Sequence, residues 1–214
     1  MSKLKLFISL VYSLYYNLII FGFRGLSIPV VFRFNTKVLN ARRGCIQLRK
    51  HSKGVVVIGF GGNTSTYSRN NVVDFQKGTI IFNGSAQFSE GVLIKNKGIL
   101  VFGDGFAANK NCTFSCTDSI SFDDNCLLGW NIHIRDSDGH SIVFNGQEQE
   151  SVKPVNIGKH VWIASECHIL KGSGIPDNCV VGYKSLVNKI FKENNCIIAG
   201  HPATIVRHDI TWKK

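Results

Sequence analysis

Residues 157–189 read IGKHVW, IASECH, ILKGSG, IPDNCV, VGYKSL and VNK, and their spacing sets the fold class. Ile157, Ile163, Ile169, Ile175, Val181 and Val187 recur every six residues, and the fifth residue of each complete hexad is small: Val161, Cys167, Ser173, Cys179 or Ser185. A β-sandwich would join its strands by hairpin turns of varied length, and Asn-Gly or Asp-Gly pairs are few here. A period of six fits a three-sided solenoid in which each side is a short strand and each corner a turn. One inward aliphatic residue per side fills a narrow lumen, and the small fifth residue lets the chain turn.

The period extends upstream with a slip. Phe82, Phe88, Ile94 and Leu100 are six apart, as are Phe102, Ala108, Phe114 and Ile120, and then Phe122, Leu128 and Ile134. Each series restarts two residues late, so positions 82, 102 and 122 are equivalent. Coils of twenty residues are expected there and of eighteen downstream. The solenoid is assigned to residues 55–200, after an apolar and basic segment over 1–54 and before a closing segment over 201–214. Between Ile134 and Ile157 no hexad fits, and residues 135–156 leave the coil as a long excursion loop. That loop opens with RDSDGH, which presents Asp136, Asp138 and His140. Asp, Ser and Gly are the usual turn residues, so a solvated turn is one reading of the six. A reactive group held on a rigid platform is the other.

The net charge is +11, but its distribution argues against nucleic acid as a partner. Residues 1–73 carry eleven Lys and Arg and no acid, while residues 74–214 carry fourteen of each sign. The basic third contains the uncharged run LFISLVYSLYYNLIIFGF, Leu6 to Phe23, in which Ser9, Ser13 and Asn17 form one polar stripe on a helix. This pairing points to the surface of an anionic membrane. A helix lying in the interface, or covering an exposed hydrophobic end of the next domain, ranks ahead of a single span. A cleaved signal ranks last, because FGFRGLSIPVVF offers a poor cleavage site. Seven cysteines without a disulfide pattern point to a reducing compartment, hence a cytoplasmic protein peripheral at the inner face of the membrane. Cys112 and Cys116 lack the partners of a zinc site, and no metal is expected.

Four segments together resemble the hexapeptide-repeat acyltransferases, and most closely the O-acetyltransferases of sugars and bacterial surface polysaccharides: FDDNCLLGWNI, RDSDGH, KPVNIGKHVWIA and IIAGHPATIVR. The resemblance implies an all-β, left-handed parallel β-helix with an N-terminal helix; crossover rules alone would give the opposite hand. It implies acetyl-CoA as acyl donor, a saccharide acceptor of a capsule, an O-antigen or a related precursor, and a homotrimer with its sites between subunits. His140 matches the family's catalytic histidine. Deprotonating a sugar hydroxyl needs a base, and imidazole titrates near neutral pH. Trp162 matches a tryptophan lining the acyl channel, and Asn109 an asparagine near the acceptor. Asp136 and Asp138 are read either as partners of the imidazole or the sugar, or as turn formers. The coenzyme positions fall on Ala164, Ser165, Tyr183, Asn188, Lys189 and Arg207. Tyr183 replaces a small residue and His201 an Asn. The other histidines, His51, His133, His160, His168 and His208, are read as surface or packing residues. Three readings compete: N-acetylation of an aminosugar nucleotide, a zinc hydratase on the same coil, and a non-catalytic assembly module.

Overall fold

In the computed structural model, which describes residues 2–61 and 69–213, the hexads become the sides of a three-sided parallel β-helix. Residues 62–68, inside the expected repeat domain, lie outside the described residues. One side stacks Val30–Phe32, Val56–Ile58, Ala86–Phe88, Phe106–Ala108, Leu127–Leu128, Trp162–Ile163, Val180–Val181 and Ile197–Gly200. A second side runs from Lys37–Leu39 to Leu186–Val187, and a third from Ile46–Leu48 to Gly174–Ile175. The first side ends in Ala203–Arg207, which turns back antiparallel on Ile197–Gly200 and closes that edge.

The expected register is observed. Phe82 pairs with Phe102 and Phe102 with Phe122, steps of twenty, whereas Trp162 pairs with Val180 and Ile169 with Val187, steps of eighteen. The six aliphatic hexad residues and the five small fifth residues are all buried. The wider coils are filled by phenylalanine: Phe82, Phe102 and Phe122 stack nearly parallel, with centroids 5.4 and 5.6 Å apart. All seven cysteines are free and buried.

Two features extend the sequence reading. The corners are turned by the fourth hexad residue, since His160, Glu166, Asn178 and Lys184 all have positive φ, between 53° and 62°. Upstream, Asn111, Asn125 and Asn131 do the same, and Asn tolerates this left-handed conformation better than most residues. The coil also begins at Val30 and not at residue 55. Val30 pairs with Val56, Val38 with Val73 and Ile46 with Ile80. Insertions lengthen these first steps past twenty residues, which hides the period of six.

The N-terminal helix, Lys3–Phe21, lies along the free edge of Val30–Phe32, and its polar stripe faces inward. Asn17 accepts from the Val30 N–H at 3.1 Å and donates to the Val30 carbonyl at 2.7 Å. Ser13 accepts from the Phe32 N–H at 2.8 Å, and Ser9 from the Phe34 N–H at 3.2 Å. The match is geometric: four residues of helix rise about 6 Å and two of strand about 6.7 Å, so a side chain at every fourth helical position meets every second strand residue. An open strand edge carries unpaired backbone groups, which a covering helix can satisfy only through its polar side chains. The helix therefore caps the coil with its polar face. The chain then folds back tightly at Gly25, where a Cβ would come within 2.2 Å of the Asn17 carbonyl oxygen.

Candidate active site

A groove runs over the first side of the coil and its corner, enclosing about 640 Å³ and lined by Asn109, Gly129, Trp130, Trp162, Ala164, Ser165, Gly182 and Tyr183, among others. The alternation of the strands produces it: Ile163 points into the lumen, so Trp162 must point out, and the residue is 38% exposed. Gly129 belongs to the floor of necessity, because a Cβ there would lie 2.6 Å from the Ser165 amide nitrogen. Ser165 Oγ accepts from the Trp130 N–H at 3.0 Å, and Asn109 donates its side-chain amide to the Leu128 carbonyl at 3.0 Å. Five residues singled out in the sequence, Asn109, Trp162, Ala164, Ser165 and Tyr183, thus meet in one groove. Arg207 joins its border by pairing with Ile197, a lining residue. Asn188 and Lys189 do not line it: they follow Leu186–Val187 on the second side, where Lys189 lies 5.3 Å from the Phe191 ring centre.

Two tryptophans were not singled out. Trp130 follows Gly129 in the quoted GWN and is 37% exposed in the groove. Trp212 comes from the closing segment, stacks on His160 at 4.1 Å, donates its indole N–H to the His160 carbonyl and sits 6.0 Å from Trp162. A tryptophan in the mostly polar tail HDITWKK was the signal available for it.

The excursion is an antiparallel hairpin, Ile142–Phe144 with Gln147–Gln149, turned by Asn145 and Gly146, both at positive φ. Its neck is pinned. Asp138 donates its N–H to the Ser151 carbonyl, Lys153 donates its N–H to the Asp136 carbonyl, and the Asp138 carboxylate pairs with Lys171 at 2.9 Å. His140 stands just beyond this neck and is exposed, with no side-chain hydrogen bond among the described residues. It is not among the residues lining the groove of its own chain.

The open alternative for Asp136 is resolved in favour of a turn former. The residue is fully buried, and its carboxylate accepts from the backbone N–H groups of Thr117, Asp118 and Ser119 at 2.8–3.0 Å. Neither it nor Asp138 touches the imidazole. Asp136→Ala strips a charged acceptor from three amides, and hydrogen bonds to charged groups contribute about 1.5–3 kcal/mol. With the exposed turn partly rehydrated, a loss of about 2–3 kcal/mol is expected in urea unfolding. An unchanged midpoint would refute the anchoring role.

The other histidines do not line the groove: His51, His133, His168, His201 and His208 are exposed and His160 is half-buried. His133 and His168 stack at 5.1 Å on adjacent coils; partial burial, then the neighbouring His168, pushes His133 below the ordinary imidazole range. Among the described residues no three His, Cys, Asp or Glu side chains form a metal-holding group.

No family model matches the chain. It is 32% identical over 108 residues to the galactoside O-acetyltransferase of Escherichia coli K12, covering 49% of this chain and 52% of that protein. It is 42% identical over 106 residues to the polysialic acid O-acetyltransferase of Neisseria meningitidis, covering 49% of each. The chain spans about half the length of these relatives. Among solved structures, the polysialic acid-specific acetyltransferase NeuO overlays 86% of this chain and 72% of its own, with a TM-score of 0.49 and 20% identity. Over about half its length the chain is thus similar to sugar and polysialic acid O-acetyltransferases, and its coil carries a six-residue repeat.

Proposed function

We propose that the chain is an acetyl-CoA-dependent O-acetyltransferase that acetylates a sugar hydroxyl of a bacterial surface polysaccharide, or of its precursor, with His140 as general base. The observation that carries this reading is the groove: five residues picked out by the resemblance converge there from three coil segments. The O-acetyltransferase relatives support it. The groove also fits the donor chemically. Gly129, Ala164 and Gly182 leave room for an extended thioester arm, Trp162 and Tyr183 wall it, and Arg207 at the border supplies a cation for phosphates.

In this reaction the imidazole of His140 takes the hydroxyl proton as the oxygen bonds to the thioester carbonyl carbon. The carbon–sulfur bond breaks, and the departing thiolate receives that proton. A positioned base contributes roughly 10²–10⁴-fold to such a step. Because His140 does not line the groove of its own chain, the active species is read as a homotrimer in which the arm serves a neighbour's groove. The arm suits that role: Ile142, Val143 and Phe144 are all more than 60% exposed, an apolar strip fit for a second copy.

The test is transfer from labelled acetyl-CoA to a panel of nucleotide sugars and surface glycans. Label is expected in hydroxylamine-labile esters on a saccharide, made by the trimer. Label only in stable amides would replace this reading with N-acetylation, and absence of transfer to every saccharide, or full activity in a sedimenting monomer, would overturn it.

A further inference from the structure

A helix packed against a soluble domain normally buries its apolar face and shows its polar one. Here the order is reversed. Ser9, Ser13 and Asn17 are fully buried against the strand edge, so the opposite face, Leu4, Phe7, Ile8, Val11, Tyr15 and Leu18, is turned outward and exposed. The apolar surface continues into the following turn, where Phe23 is 89% and Leu26 61% exposed. The reversal is forced: capping a strand edge needs polar groups, and whatever lies opposite them on a helix of this composition is hydrocarbon and aromatic rings.

The same layer carries one sign of charge. Lys3, Lys5, Arg24 and Arg43 are exposed on or beside the helix, with the Arg43 guanidinium about 3.5 Å from where a Gly22 side chain would begin, and no acidic residue occurs before Asp74. Strand hydrogen bonds in a β-helix run along the coil axis, so a helix bonded to the first strand's free edge lies across the end of the coil. An apolar face rimmed by cations at the flat end of a prism matches an anionic bilayer, acyl chains beneath the face and headgroup phosphates around it.

We propose that the capped N-terminal end is a membrane-docking surface, on which helix Lys3–Phe21 lies in the plane of an anionic bilayer and the coil stands upright. It places the protein at the inner face of the membrane. It also fixes the height of the groove. From Val31 through Val57, Gln87 and Ala107 to Leu127 there are four coil steps, and to Trp162 five. At about 4.8 Å per step Leu127 and Trp162 in the groove stand roughly 19–24 Å above strand Val30–Phe32, and the anchoring helix lies beyond that strand. Resting on the proposed acetyltransferase reading, this suits an acceptor glycan that is itself held at the membrane and projects several sugars from it.

The experiment is flotation of the full chain with vesicles of phosphatidylglycerol and phosphatidylcholine, or phosphatidylcholine alone, which needs no activity and so fails independently of the catalytic reading. The wild-type chain is expected to float with the anionic vesicles at low salt, at least about tenfold less with neutral ones, and to be released by alkaline carbonate. Phe7→Glu combined with Tyr15→Glu alters only the outward face, leaves the capping residues in place, and should cut flotation at least about tenfold with unchanged circular dichroism. Ile99→Glu, an exposed apolar residue on the side of the coil, should float like the wild type. Equal binding to neutral vesicles, flotation untouched by the double change, or an equal loss in Ile99→Glu would overturn the proposal. Resistance to carbonate would replace it with a true span, and self-association abolished by the double change without vesicle binding would replace it with a contact between copies.

Discussion

His140→Ala is expected to lower kcat at least about a hundredfold while leaving the thermal unfolding profile and the affinity for the acyl donor close to those of the unaltered protein. The basis is structural. The imidazole is exposed, holds no other side chain in place, and projects beyond a neck pinned by Asp136 and Asp138 rather than by itself. Its removal costs a proton acceptor and nothing in packing. His140→Gln, which keeps hydrogen-bonding capacity without basicity, should be equally inactive. A variant that turns over within a few-fold of normal would remove His140 from the chemistry. Four residues upstream, Asp136→Ala should show the converse, with stability falling first.

Phe102→Ala should cause the largest loss of stability of any single truncation in the lumen, about 3–5 kcal/mol. Its ring contacts five others: it stacks on Phe82 and Phe122 in the adjacent coils and packs at 4.6–5.4 Å against Phe88, Phe106 and Phe114. Strand pairing fixes the spacing of the coils, so the walls cannot collapse into the space left behind, which puts the cost toward the upper end of its range. Ile175→Val, in the narrower eighteen-residue coils, should cost about 1 kcal/mol. Urea unfolding measures both. A loss below about 1.5 kcal/mol for Phe102→Ala would mean that the lumen relaxes around the cavity.

What the sequence discloses follows from what each part of the structure repeats. The lumen asks the same of every side, one large apolar residue and then a small one, so Ile157 to Val187 declare the coil and even its change from twenty residues to eighteen. The first coil asks the same but is interrupted between sides, and Val30, Val38 and Ile46 show no period. Ser9, Ser13 and Asn17 were visible as a stripe; which way the stripe faced depended on an edge strand thirteen or more residues away. At the site, residues carried by coil-bound motifs share one groove, as Trp162, Ala164 and Ser165 do. Lys189 lies in the same run of hexads but turns a different corner. Trp212 comes within 6.0 Å of Trp162 only because the tail folds back onto His160, a contact that no local pattern encodes. Asp136 could be read either way until the amides of Thr117, Asp118 and Ser119 were seen to claim its carboxylate, whereas Asp138 is part-exposed and paired with Lys171.

The buried cysteines give the coil a property unrelated to its chemistry. They are spread from Cys45 in the first coil to Cys196 in the last, and burial pushes the thiols of Cys112, Cys116 and Cys126 up to about 12, far from the thiolate form that alkylating reagents attack. A reagent therefore reaches each sulfur only when its own coil opens. In a solenoid whose coils touch only their neighbours, opening can begin at one end and travel. The seven thiols then act as timestamps along the axis: unzipping from one end modifies them in coil order, whereas a concerted transition modifies all seven at one rate.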